Sequence, residues 1–241
     1  GSFGGSLKDM PLSQLATTAV KAALDRSGVE PATVGHVTMG NVIPTEPKDA
    51  YLSRVAALKA GLPQEVPAFN VNRLCGSGLQ AIVSAAQTIA LGDADVAIGA
   101  GAESMSRGPY LSTGIRWGER MGDSRMVDYM LAALHDPFDD IHMGITAENV
   151  AARRQISRAD QDALAAESHR RAANAIAEGR FREQIVPIEI VSRKGTRIFD
   201  TDEHVRADTS VESLAKMRPA FKPDGTVTAG NASGINDAAA A

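Results

Sequence analysis

From Leu12 to Arg26 the chain reads LSQLATTAVKAALDR. Leu12, Leu15, Ala16, Ala19, Val20, Ala23 and Leu24 return at helical spacing, and Gly28 follows as a stop. This predicts an amphipathic helix. The β-branched run Val37 to Val42 predicts a strand, and helical spacing resumes from Tyr51 to Ala60 until Gly61-Leu62-Pro63 breaks it. Ala68 to Val71 reads as a strand, Gly78 to Leu91 as a long alanine-rich helix and Ala94 to Ile98 as a buried strand. Strand and helix alternate through residue 102, the pattern of an α/β fold in which helices cover a mainly parallel sheet. In such folds the loops at the carboxyl ends of the strands are the default place for chemistry.

The pattern changes after residue 104. SMSRGPYLSTGIRWGERMGD has no clean period and reads as a long structured excursion. A helix is predicted from Arg158 to Glu178, with Ser157 as N-cap, Asp160 at the capping-box position and Gly179 as stop. Ile185 to Val191 alternates like a strand, Val211 to Lys216 reads as a short helix, and GTVTAGNASGIND resumes a glycine-rich backbone.

Composition narrows the function. A chain of 241 residues, 44% hydrophobic and 22% charged, can bury a sizeable core. Its 25 basic residues are scattered among 29 acidic ones, for a net charge of -4, which gives no basic field for nucleic acid or a membrane surface. A single cysteine allows no internal disulfide and no cysteine-based zinc spacing, and GSFGGSLKDM lacks the features of an export signal, so the cytoplasm is the expected compartment.

That cysteine is Cys75, in NVNRLCGSGLQAI, between a predicted strand and a predicted helix. A nucleophilic cysteine attacks as the thiolate, which the positive end of a helix favours. Gly76 and Gly78 remove Cβ atoms that would hold a substrate away, and amides at the helix start could stabilise an oxyanion. The arrangement follows the logic of a strand-to-helix nucleophile elbow. Position alone leaves a second reading equally open, that of a small buried core residue beside a glycine-rich turn.

NRLCGSGLQAI, GDADVAIGAGAESMS, HMGITAEN and GTVTAGNASGINDAAAA, in that order, resemble the successive motifs of the thiolases, most closely the bacterial acetyl-CoA acetyltransferase and β-ketothiolase type. The resemblance implies a thiolase-like layered α/β fold whose N-terminal half (1–104) carries an inserted loop domain (105–235) before returning at 236–241. It implies ping-pong acyl transfer through an acyl-cysteine at Cys75, with acetyl-CoA and 3-ketoacyl-CoA as substrates and no separate cofactor. His142 and Met143 match residues at the coenzyme A and pantetheine site. Arg206 and Ser213 match contacts to the nucleotide end, Ala229 and Ser233 the pantetheine wall, and Leu134 an apolar contact. A homo-oligomer, usually a tetramer, is also implied. Thiolases open with a strand ending in a VRTP-like motif and carry the asparagine of NEAF, the histidine of GHP and the cysteine of CxGGG in a second half. None of these motifs occurs in the 241 residues, so the expectation is a longer protein and a segment inactive by itself in Claisen condensation.

Rival readings attach to several residues. His135, Asp136, Asp139, Asp140 and His142 could suggest a metal site, but their proximity around a proline is not a ligand geometry, and no metal is expected. Met143 by residue type alone is core packing, and only the match at HMG reverses this. Arg116, Arg120 and Arg125 near Trp117 could bind phosphate or form a solvated or intersubunit face. Two alternatives to the acyltransferase remain: a non-catalytic coenzyme A binding or interaction module, and a related condensing enzyme.

Overall fold

Met39, Ala100 and Ala102 alternate with Gly40, Gly99 and Gly101 along two paired strands, so one face of the sheet carries side chains here and the other is reduced to backbone at the glycines, with Thr38 beside them. In the computed structural model, which describes residues 1–193 and 195–241, these strands are β1 (Val34–Gly40) and β3 (Val96–Ser104). β2 (Ala68–Val71) pairs in parallel with β1, and β8 (Asp237–Ala240) runs antiparallel to β3, giving the order β2-β1-β3-β8. Helices α1 (Leu12–Ser27) and α2 (Leu52–Lys59) cover the side-chain face, where Leu12, Ala16, Val20, Leu52 and Ala56 bury against Met39, Ala100 and Ala102. α1 ends where Gly28 turns left-handed at φ 67°, as the sequence predicts.

The glycine face receives α3 (Ser77–Ala90) at backbone distance. A Cβ on Gly40 would lie 2.7 Å from the carbonyl carbon of Ser77, and one on Gly99 would lie 2.9 Å from the Cα of Ile82. β3 runs on through the GAGAES segment to Ser104, well past the predicted end at Ile98, paired with β1 on one side and β8 on the other. The predicted strand at Val37–Val42 starts earlier and stops at Gly40. Beyond it, the amides of Val42 and Ile43 donate to the carboxylate of Glu103, each at 2.9 Å, instead of continuing the ladder. The excursion after residue 104 contributes the two-residue pair β4 (Tyr110–Leu111) with β5 (Val127–Asp128) and the single turn α4 (Tyr129–Ala132).

The chain forms two compact units, Gly1–Ala133 with Asn236–Ala241, and Leu134–Ile235. Residues 105–133 pack with the first. The second holds α5 (Met143–Arg154), α6 (Arg158–Ala177), the hairpin β6 (Ile188–Ser192) with β7 (Gly195–Phe199), and α7 (Val211–Ala215). Ser157 and Asp160 close the expected capping box on α6. Helix α5 has no counterpart in the periodicity reading.

Candidate active site

Cys75 follows the carboxyl end of β2 and immediately precedes Gly76, the N-cap of α3. The connection is a tight elbow held by several local hydrogen bonds. Leu74 takes a left-handed backbone at φ 47°, and its amide donates to the Asn72 side-chain oxygen at 2.9 Å. The buried Ser77 hydroxyl accepts the Arg73 amide at 2.8 Å and donates to the Leu74 carbonyl at 2.6 Å. Cys75 itself is exposed, so the reading of a buried core residue does not hold. Two of the amides expected to be free at the helix start are engaged. Gly76 N–H donates to the Arg73 carbonyl at 3.1 Å and Ser77 N–H to the Leu74 carbonyl at 2.9 Å, so both are spent within the turn. A Cβ on Gly78 would meet nothing within 4 Å, so packing among the described residues does not demand that glycine.

Within the second unit, Leu134, His142 and Met143 come together. Met143 N–H donates to the Leu134 carbonyl at 2.8 Å, closing the HDPFDDI loop, and His142 is the N-cap of α5. His142 Nδ1 accepts the Gly144 amide at 2.9 Å, which leaves the ring proton on Nε2. Burial, and then the charge of His135, push the imidazole below its ordinary titration range, so the ring is a neutral donor. Phe221 stacks on one face at 4.8 Å between centroids, and His135 meets the ring edge-on at 5.2 Å. Within the same loop, the Asp136 carboxylate accepts the amides of Phe138 and Asp139, which gives it a turn-forming role.

Ala229 and Ser233 are exposed on the 226–235 loop, which several anchors hold. Glu148 on α5 accepts the amides of Thr226 and Val227, each at 2.8 Å. Asn231 donates to the buried Asp162 at 2.8 Å, and Asp162 pairs with Arg158 at 2.7 Å. Arg158 in turn donates to the carbonyl of Leu214 at 2.6 Å, tying α7 to the same hub. Ser213 is engaged locally as the capping-box residue of α7, its hydroxyl donating to the Ser210 carbonyl at 2.8 Å. Arg206 is exposed on the segment before α7. Sequence reasoning missed Ser77, Glu148, Asp162 and Phe221. All but Phe221 are polar side chains whose importance lies in partners far along the chain or in a turn, and no periodicity marks them.

The mixed sheet covered by helices and the exposed cysteine on a strand-to-helix elbow define an α/β unit that presents a free thiol at its surface. The model of the thiolase N-terminal domain matches residues 1–241, and the chain belongs to that family. It is 63% identical over 242 residues to a beta-ketothiolase, BktB, from Cupriavidus necator, a match covering 100% of this chain and 61% of that protein. It is 51% identical to an acetyl-CoA acetyltransferase from Chromobacterium violaceum, covering 100% of this chain and 62% of the relative. The fold matches a crystal structure of human mitochondrial 3-ketoacyl-CoA thiolase with a TM-score of 0.96 and 43% identity, over 99% of this chain and 61% of that one. The chain thus spans about three-fifths of the length of the relatives it matches.

Proposed function

We propose that this chain is the acyl-accepting and coenzyme A binding portion of a thiolase that forms or cleaves short 3-ketoacyl-CoA. The observation that carries this reading is Cys75, exposed at the carboxyl edge of the sheet on a rigid elbow, in a chain 63% identical to a named beta-ketothiolase. The Cys75 thiolate attacks the thioester carbonyl of acetyl-CoA, the tetrahedral intermediate expels coenzyme A as its thiolate, and the acetyl group remains on sulfur. The α-carbon of a second acetyl-CoA gives up a proton, which balances the coenzyme A thiolate released as the free thiol, and attacks the acetyl-cysteine, returning the Cys75 thiolate with acetoacetyl-CoA as product. Cleavage is the reverse.

In this reading His142, neutral with its proton on Nε2, offers a hydrogen-bond donor to the pantetheine of coenzyme A, and Met143 and Leu134 line the pantetheine path. Ala229 and Ser233 form its wall, Ser213 meets the nucleotide end, and the exposed Arg206 pairs with phosphate. The coenzyme A thioesters are the substrates, with no further cofactor. The exposed Trp117, Met121 and Met126 support self-association, with a homotetramer as the proposed assembly. The lone free cysteine supports a cytoplasmic setting. No helix among the described residues is long and apolar enough to cross a membrane.

Intact-mass spectrometry of the full-length protein after brief incubation with acetyl-CoA tests the central step. One added acetyl group, mapped to Cys75 and absent from Cys75→Ala, is the expected result. An unmodified wild-type protein, or an adduct that survives the substitution, overturns the proposal.

A further inference from the structure

We infer that His169 is a positioning residue that anchors the backbone of the Arg206 segment to α6, so that the Arg206 guanidinium is held ready for the phosphates of coenzyme A. The inference rests on the reading of Arg206 given above. Residues 200–210, between β7 and α7, form no helix or strand. Within this stretch the amide of Arg206 reaches 37 residues back along the chain and donates to His169 Nδ1 at 3.2 Å. Two residues earlier the His204 ring lies nearly parallel to the His169 ring, with centroids 6.2 Å apart and planes inclined by 25°. One side chain on a regular helix therefore meets an otherwise irregular segment at two points, 204 and 206. The Arg206 carbonyl accepts the Thr209 amide at 3.2 Å, which ties the anchored residue to the approach of α7.

The guanidinium itself is exposed and has no ion-pair partner among the described residues, so the fold fixes the backbone of Arg206 and leaves its charge free. A flexible arginine recruited to a phosphate loses conformational freedom on binding, and a pre-fixed backbone reduces that loss. The role requires an acceptor at the Nδ1 position. Asparagine places its amide oxygen near that point, so His169→Asn keeps the anchor that His169→Ala removes.

The test compares acetyl-CoA with acetyl-N-acetylcysteamine, a thioester that keeps the reacting end and lacks the nucleotide, using the full-length protein. In His169→Ala the KM for acetyl-CoA is expected to rise about three- to tenfold, the effect of one lost hydrogen bond. The preference in kcat/KM for acetyl-CoA over the short thioester should fall by the same factor, with recovery in His169→Asn. A His169→Ala enzyme that loses activity equally on both thioesters overturns the inference, since damage to the fold spares neither. An unchanged preference in His169→Ala alongside a lowered one in Arg206→Ala also overturns it, while leaving Arg206 as a coenzyme contact. An unchanged preference in Arg206→Ala removes the underlying reading and the inference with it.

Discussion

The imidazole of His142 lies against the ring of Phe221, the two planes inclined by only 23°, and the stack passes directly over Gly144. A Cβ at position 144 would be driven into the Phe221 ring. Gly144→Ala is therefore expected to displace Phe221 and, with it, one face of the His142 pocket. The cost should be about 1–3 kcal/mol, the usual range for overpacking. Chemical denaturation of the variant measures it, and a midpoint equal to wild type would show that the ring moves freely.

Ser77 is a latch on the Cys75 elbow, because a single buried hydroxyl accepts from Arg73 and donates to Leu74. Ser77→Ala removes both bonds, and about 1–2 kcal/mol of stability should go with them. Acetylation of Cys75 should slow in parallel, since the left-handed Leu74 is held by these contacts and by Asn72. Rapid-quench mass spectrometry reads that rate directly, and an unchanged rate would count against the latch.

Asp162 is almost fully buried and faces both Arg158 and Asn231. Asp162→Ala strands the partly buried guanidinium and frees the 226–235 loop, which should cost about 3–5 kcal/mol. Asp162→Asn preserves shape and should cost less. Guanidinium unfolding curves of the two variants give the ordering, and equal costs would mean that charge is not what the site needs.

Glu148 makes the anchoring of the 226–227 segment depend on pH. Burial alone would raise its titration point, but hydrogen bonds from the Thr226 and Val227 amides and the Thr226 hydroxyl outweigh burial, and the net shift is downward from 4.5. A carboxyl depressed by folding contributes stability that is complete above its unfolded value and is lost as pH falls through the folded one. Acidification below about 4.5 should therefore loosen the link between α5 and the 226–227 segment. Hydrogen exchange at the Thr226 and Val227 amides measured down that range should show falling protection in wild type and a flatter profile in Glu148→Gln.

The alternating elements up to residue 102 were legible because each buries one face at a simple period, as Leu12, Ala16 and Val20 do in α1. The elbow was legible too, since Cys75 sits where a strand signal gives way to a helix signal. The glycine-rich extension of β3 was not, because Gly99 admits α3 on one face while Ala100 and Ala102 pack under α1 and α2 on the other, reasons that lie in other elements. Helix α5 was missed for a local reason. Its N-cap is His142, acting through Nδ1, where serine, threonine, aspartate or asparagine is the usual signal. The clamp of Glu148 on residues 226 and 227 joins positions 78 and 79 apart in sequence, a distance no local pattern reports.

β8 gives the first unit a folding history. The strand that completes its sheet pairs with β3 across a long stretch of chain, and the hydroxyl of Ser104 reaches Asp237 133 residues away. Closing so large a loop costs entropy before any pairing rewards it, so this edge should form late. During synthesis, β1, β2 and β3 emerge and can pair while the open side of β3 has no partner. The whole of Leu134–Ile235 must leave the ribosome before Asp237 can accept from Ser104 and Ser106 and cover that edge. Until then the nascent chain carries an unpaired strand edge, the kind of surface on which chains aggregate and chaperones act.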